Sequence, residues 1–225
     1  MCVHVKARRR LLSGVVLCSL ACPLLAQAQS AVLRVTGRIV PGSCVPELTG
    51  GGNVDFGDIP ATTLPRTGYT DLGTRQTALK VQCPLPTTTA IRITDEHAGT
   101  QVDAARAVLG STLATSQLFG LGRAEGAGVG AYTVRLTTPA TVDGKAQPQT
   151  LVSPDGKQWA TAQGTVYLDG SGAQAYAAGQ RAAIARGKTM LYPLTVHAAL
   201  NRADALPQDK VIGLAGQATL ELVYP

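Results

Sequence analysis

Apolar and polar residues alternate in several short stretches of this chain, and a two-residue period predicts β-strands. In Ala31–Val40, Leu33, Val35 and Ile39 fall on one face and Arg34, Thr36 and Arg38 on the other, which predicts a half-buried strand ended by Pro41-Gly42. Ala78–Cys83 places Leu79, Val81 and Cys83 together. Val54–Gly57, after the turn Gly50-Gly51-Gly52-Asn53, Ile91–Ile93 and Leu118–Leu121 are further strand candidates. Ala131–Leu136 has Tyr132, Val134 and Leu136 as its inward set. Lys188–Ala199 does the same with Met190, Tyr192, Leu194 and Val196, while Pro193 on the other face predicts an edge strand or a bulge. The chain closes on Gly216–Pro225, where Ala218, Leu220, Leu222 and Tyr224 share a face.

Between these stretches the pattern is weaker. Asp103–Leu113 has spacing compatible with a short helix, weakened by Gly110. Pro154-Asp155-Gly156 predicts a turn between strands, and the alanine-rich Ala173–Ala185 reads as a helix or a loop. There is no internal repeat and no domain linker. Short strands separated by Gly and Pro turns predict an all-β sandwich with long loops and short helical insertions.

The N-terminus sets the compartment. Lys6, Arg8, Arg9 and Arg10 precede the apolar run Leu11–Leu25 and the small-x-small site Ala26-Gln27-Ala28. The run is about 15 residues, short of the ~20 that span a bilayer, so residues 1–28 are expected to be a cleaved signal peptide. Lipidation at Cys18 or Cys22 fits poorly, because the residue expected to be leucine upstream of Cys22 is Ser19. Residues 29–225 are then one exported domain, with no membrane span in the mature chain. The formal charge of +6 falls to about +2 once the four signal cations leave. The basic balance therefore belongs to the signal, and no nucleic-acid partner is expected.

Cys2, Cys18 and Cys22 leave with the signal, so the mature chain keeps Cys44 and Cys83. Two cysteines in an oxidising compartment imply one disulfide.

Candidate chemistry is sparse. His97 and His197 lack a Gly-x-Ser-x-Gly elbow elsewhere in the chain. The acidic residues are scattered among turns, with no spacing that marks a glycosidase pair or a calcium loop. Gly120–Gly126 contains a G-x-G but not the remaining glycine spacing of a dinucleotide loop. No catalytic, cofactor or metal site is expected, and a secreted hydrolase is the weakest reading.

Three segments carry a resemblance: Val35-Thr-Gly-Arg-Ile-Val-Pro-Gly-Ser-Cys44, Gly51-Gly-Asn-Val-Asp-Phe-Gly57 and Leu79-Lys-Val-Gln-Cys83. Together with Gly216–Tyr224 they resemble fimbrial subunits of the chaperone–usher pathway, most closely a branch known as a domain of unknown function. The resemblance implies an incomplete immunoglobulin-like, pilin-type sandwich that lacks its last strand. It implies a periplasmic chaperone, an outer-membrane usher and other pilus subunits as partners, and passage through the periplasm to a cell-surface fimbrium. Cys44 and Cys83 match the family disulfide, and Ala218, Leu220, Leu222 and Tyr224 the strand that contacts chaperone or neighbour. Val32, Leu33 and Val35 match a donor arm or first strand, although the chain before Cys44 is short for both. The alternative is a self-complete secreted sandwich that binds carbohydrate or a host surface.

Overall fold

The protein was described from a computed structural model, which covers residues 34–38, 43–137 and 139–225. The chain divides into a unit of residues 1–39 and a unit of residues 40–225. Within the first, residues 34–38 form no strand and are exposed, Val35 to 88%. The strand expected over Ala31–Val40 is thus overturned for the part described; Val32, Leu33 and Ile39 lie outside the described residues. Alternation supplies two faces but no pairing partner, and without a ladder it does not make a strand.

The second unit holds the sheets. In chain order the strands begin with β1 (Val45–Leu48), β2 (Thr70–Thr88), β3 (Ala90–Asp95) and β4 (Phe119–Gly120). The short β5 (Arg123–Ala124) and β6 (Ala127–Gly128) precede β7 (Gly130–Leu136), β8 (Thr141–Val142), β9 (Lys145–Ala146) and β10 (Gln149–Ser153). Last come β11 (Ala160–Thr161), β12 (Val166–Tyr167), β13 (Ala175–Gln180), β14 (Ala183–Ile184), β15 (Arg186–Leu200) and β16 (Ala218–Val223). One sheet runs β1-β2-β15-β7-β12, and the other β11-β10-β13-β3-β16. All their pairings are antiparallel.

The core lies between the sheets, where the alternating sets meet. Leu79, Val81 and Cys83 of β2, Met190, Tyr192, Leu194 and Val196 of β15, and Tyr132, Val134 and Leu136 of β7 are all buried. They face Ile91 and Ile93 of β3 and Tyr176 and Ala178 of β13. Each large side chain withdrawn from water contributes roughly 1.5–3 kcal/mol. Register is held by the two longest strands, with Met190 opposite Val81 and Tyr192 opposite Leu79; a one-residue slip would turn both apolar sets outward.

Both outer faces are partly covered as well. Asp103–Leu109, a 3-10 turn followed by one α-helical turn, brings Ala105 and Leu109 together with Leu118, Ala131 and Ala199. This is the short helix expected there, and it stops at Gly110, whose φ of +146° an L side chain rarely adopts. On the second sheet, Trp159 and Ile184 pack over Ala90, Leu151, Ala175 and Ala177.

Three expectations need correction. Ala173–Ala185 is neither helix nor loop but the hairpin β13–β14, turned at Arg181 and Ala182, both with positive φ. Close packing explains its alanines: Ala175 and Ala177 are fully buried, and at Gly179 a Cβ would meet the Ala183 carbonyl at 2.2 Å. Val54–Gly57 forms no strand. Pro193 sits on a strand flanked on both sides, not at an edge, but in the gap between two neighbours. β8 pairs up to Leu191 and β7 from Leu194, so the ladder position where an N–H is missing has no strand opposite it. Its carbonyl still accepts from the Thr137 amide at 2.8 Å.

Candidate functional site

The two sheets are parted along one side. On the parted side, β1 forms the rim of the first sheet and β16 the rim of the second. Between them runs a cleft of about 810 Å³. Its floor is the core itself: Val134, Leu194, Val196 and Ile93 are buried side chains that line it. One wall is the segment carrying Val54, Phe56 and Ile59; the other includes Ile212, Leu214, Ala218 and Leu220.

Local hydrogen bonding holds Val54–Ile59 in place outside the sheets. The Asp55 carboxylate accepts from the Gly57 amide at 2.8 Å, turning the chain where Gly57 has φ +71°. Arg75 of β2 donates through Nε to the Asp55 carbonyl at 3.1 Å and lies over the Phe56 ring at 4.9 Å. The segment is therefore fastened sideways to β2, with its apolar residues turned into the cleft. At the opposite wall the Lys210 ammonium pairs with Glu125. Burial, and secondarily the nearby Asp95 charge, pushes the Tyr132 hydroxyl pKa up, so this cleft residue stays neutral.

β16 has one strand neighbour among the described residues, β3. The Glu96 amide donates to the Gln217 carbonyl at 3.0 Å, and Ala218 lies opposite Asp95. In an antiparallel ladder hydrogen-bonded pairs alternate, so Thr219, Glu221 and Val223 bond to β3. The N–H and C=O groups of Ala218, Leu220 and Leu222 point the other way, along the cleft rim. Their side chains pack half-buried against the core. Tyr224 does not continue that set. It is 50% exposed, and its hydroxyl instead accepts from the Cys44 amide at 2.9 Å.

That hydrogen bond joins the end of β16 to the disulfide. Cys44 and Cys83 are bonded and both buried, fastening the start of β1 to β2 across 39 positions. On a chain-entropy basis the closure contributes roughly 3–4 kcal/mol. The predicted residues therefore converge in part: Cys44, Cys83 and Tyr224 meet at one end of the rim, and Ala218, Leu220 and Leu222 run along it. Val35 belongs to the other unit and is exposed, while Val32 and Leu33 are outside the described residues. Sequence reasoning read Val54–Gly57 as a strand rather than a cleft wall, and it missed the loop through Ile212 and Leu214, whose isolated apolar residues beside glycines read as loop.

The histidines lie apart, one in a turn and one on a strand. His97 follows β3, and its amide donates to Asp95 at 3.0 Å; His197 on β15 bonds Asp71 at 2.8 Å. Among the described residues no three His, Cys, Asp or Glu side chains gather as a metal set, and no helix is long and apolar enough to cross a membrane.

A sequence profile of a family described as a protein of unknown function (DUF1120) matches residues 33–133. Protein GltF of Escherichia coli (strain K12) is similar over most of the chain. It is 28% identical over 224 aligned residues, covering 85% of this chain and 87% of that protein.

Proposed function

We propose that this chain is a structural subunit of a surface fimbria, assembled by donor-strand complementation and contributing to cell adhesion rather than catalysis. The observation that carries the reading is the outward-facing ladder of Ala218, Leu220 and Leu222 beside an apolar cleft. An extended peptide laid there would bond its backbone to β16 and send alternate side chains onto Val134 and Val196, which is strand addition. Unoccupied, such an edge is an aggregation hazard, which is why a periplasmic chaperone is the first partner, followed by the usher and neighbouring subunits. The signal peptide and the disulfide fit that route.

The test is amide exchange on the mature chain, expressed with and without a co-expressed fimbrial chaperone. With chaperone, the amides of Ala218, Leu220 and Leu222 should exchange slowly; in the chain alone they should exchange far faster than those of Thr219 and Glu221. A stable monomer that protects all five equally would overturn the proposal, because its own chain would then fill the slot.

A further inference from the structure

On the side away from β1 and β16, a second concavity of about 400 Å³ lies where the chain crosses from β11 in one sheet to β12 in the other. Its size is that of a small-molecule pocket, but its lining differs from the cleft's. Gln117, Gln163, Thr165, Asp169 and Gln174 are the polar residues of its lining, beside apolar and aromatic ones such as Val152 and Tyr176. No lysine, arginine or histidine is among its lining residues.

Much of this polar capacity has no protein partner among the described residues. Gln163, Gln174 and Thr165 make no side-chain hydrogen bond among the described residues, so each offers both donor and acceptor groups. Gln117 accepts from the Ala114 amide at 2.9 Å through Oε1, which leaves its Nε2 free to donate. Asp169 is fixed from within: Oδ2 accepts from the Ser116 hydroxyl at 2.8 Å, and Oδ1 from the Ser171 amide at 2.9 Å and the Ser171 hydroxyl. A carboxylate has about four acceptor sites, so Oδ2 keeps one. The Asp169 amide donates to the Tyr176 hydroxyl at 2.9 Å, and burial pushes that hydroxyl pKa up to about 12, so the group holding the site stays neutral.

We propose that this basin binds a neutral, hydroxyl-rich ligand, a single hexose residue of a glycan. Sugar hydroxyls each donate and accept, as do the amides here. The spare Asp169 lone pair accepts a hydrogen bond from a sugar hydroxyl. A phosphate or carboxylate ligand would meet the Asp169 charge with no cation to offset it. The proposal does not depend on strand complementation, since the basin lies on the far edge of both sheets.

The probes are the methyl glycosides of glucose, galactose, mannose and N-acetylglucosamine, titrated into the isotope-labelled mature chain with its fimbrial chaperone bound where solubility requires it. Saturable amide shifts confined to residues 163–169, 174 and 117, with at least one glycoside, are the expected result. Gln163→Ala and Gln174→Ala, which break no internal hydrogen bond, should weaken that binding about tenfold each; Asp169→Asn should weaken it further. No saturable shift with any of the four would overturn the proposal. So would shifts at other residues, or affinity unchanged in Gln163→Ala and Gln174→Ala. The same titration with calcium alone provides the competing outcome: saturable shifts at Asp169 with the cation and none with glycosides would replace a sugar site by a metal site.

Discussion

The two lateral edges of this sandwich are built in opposite ways. At the far edge both rim strands, β11 and β12, are two residues long, and the polar Gln163–Thr165 connects one sheet to the other. Short, polar, covered edges are how β-proteins avoid pairing with strangers. At the near edge β16 presents six residues, its outer ladder groups unpaired among the described residues, above a cleft floored by Val134, Leu194 and Val196. Only one edge is guarded. The contrast separates an edge of short, polar elements from one whose unpaired ladder groups border an apolar cleft, and the proposed strand partner would add on the β16 side.

The comparison breaks most readily at the disulfide, the covalent fastening of the near edge. Cys83→Ser, or reduction of the native chain, should lower stability by about 3–4 kcal/mol, read from the shift in urea midpoint. The variant should also lose protection in β1 before it loses any in β12. A shift below about 1 kcal/mol would mean that the near edge is held by packing alone.

Leu220→Ala sharpens the same contrast. A fully buried leucine costs about 2–5 kcal/mol on truncation, and Leu220 is half-buried, so about 1–2 kcal/mol is expected for the chain alone. In a complemented complex the loss should rise towards the fully buried figure, because the added strand covers the site. Equal losses in both states would show that nothing packs there. Tyr224→Phe should cost less, about 0.5–1.5 kcal/mol, since it removes only the acceptor for the Cys44 amide; denaturation of the oxidised protein measures it.

How much of this was legible beforehand follows from what each feature needs. Leu79-Val81-Cys83, Tyr132-Val134-Leu136 and Met190–Val196 could be read because a strand buried on one face writes its period into the sequence. Arg34–Arg38 has the same period and is no strand, since period alone does not supply a neighbour. Ala175–Gln180 failed for the reverse reason. Its alanines reflect the crowding around Leu151 and Trp159, a tertiary demand that overrides their helix propensity. The Cys44–Cys83 pair was readable from compartment and count. The cleft was not, because it exists only where Val54–Ile59 meets Ile212–Leu220, some 150 positions away, and the alternation that marks Ala218 and Leu220 does not say what stands opposite them.

The smallest effect belongs to the turn between β10 and β11, and it tests how independent the two edges are. Asp155 Oδ1 accepts from the Gln158 amide at 2.9 Å, the Lys157 amide at 2.8 Å and the Ser153 hydroxyl at 2.9 Å. Those bonds, the Gln158 and Lys157 amides foremost, hold the carboxyl pKa down at about 2, below its ordinary 3.8. A group whose folded pKa is depressed adds stability above its unfolded value and loses it as pH falls to the folded one. The contribution of Asp155 should therefore be complete above about pH 4 and fade towards pH 2. Because the group is fully exposed, the change should be small. Asp155→Asn keeps the Oδ1 acceptor and removes the titration, so its stability should be flatter than the native chain's between pH 4 and 2. Exchange at Trp159 and β11 should report that change while Ala218, Leu220 and Leu222 remain as they were. If β16 loosened in step with the turn over that pH window, the two edges would be one cooperative unit, and the guarded side could not be treated apart from the open one.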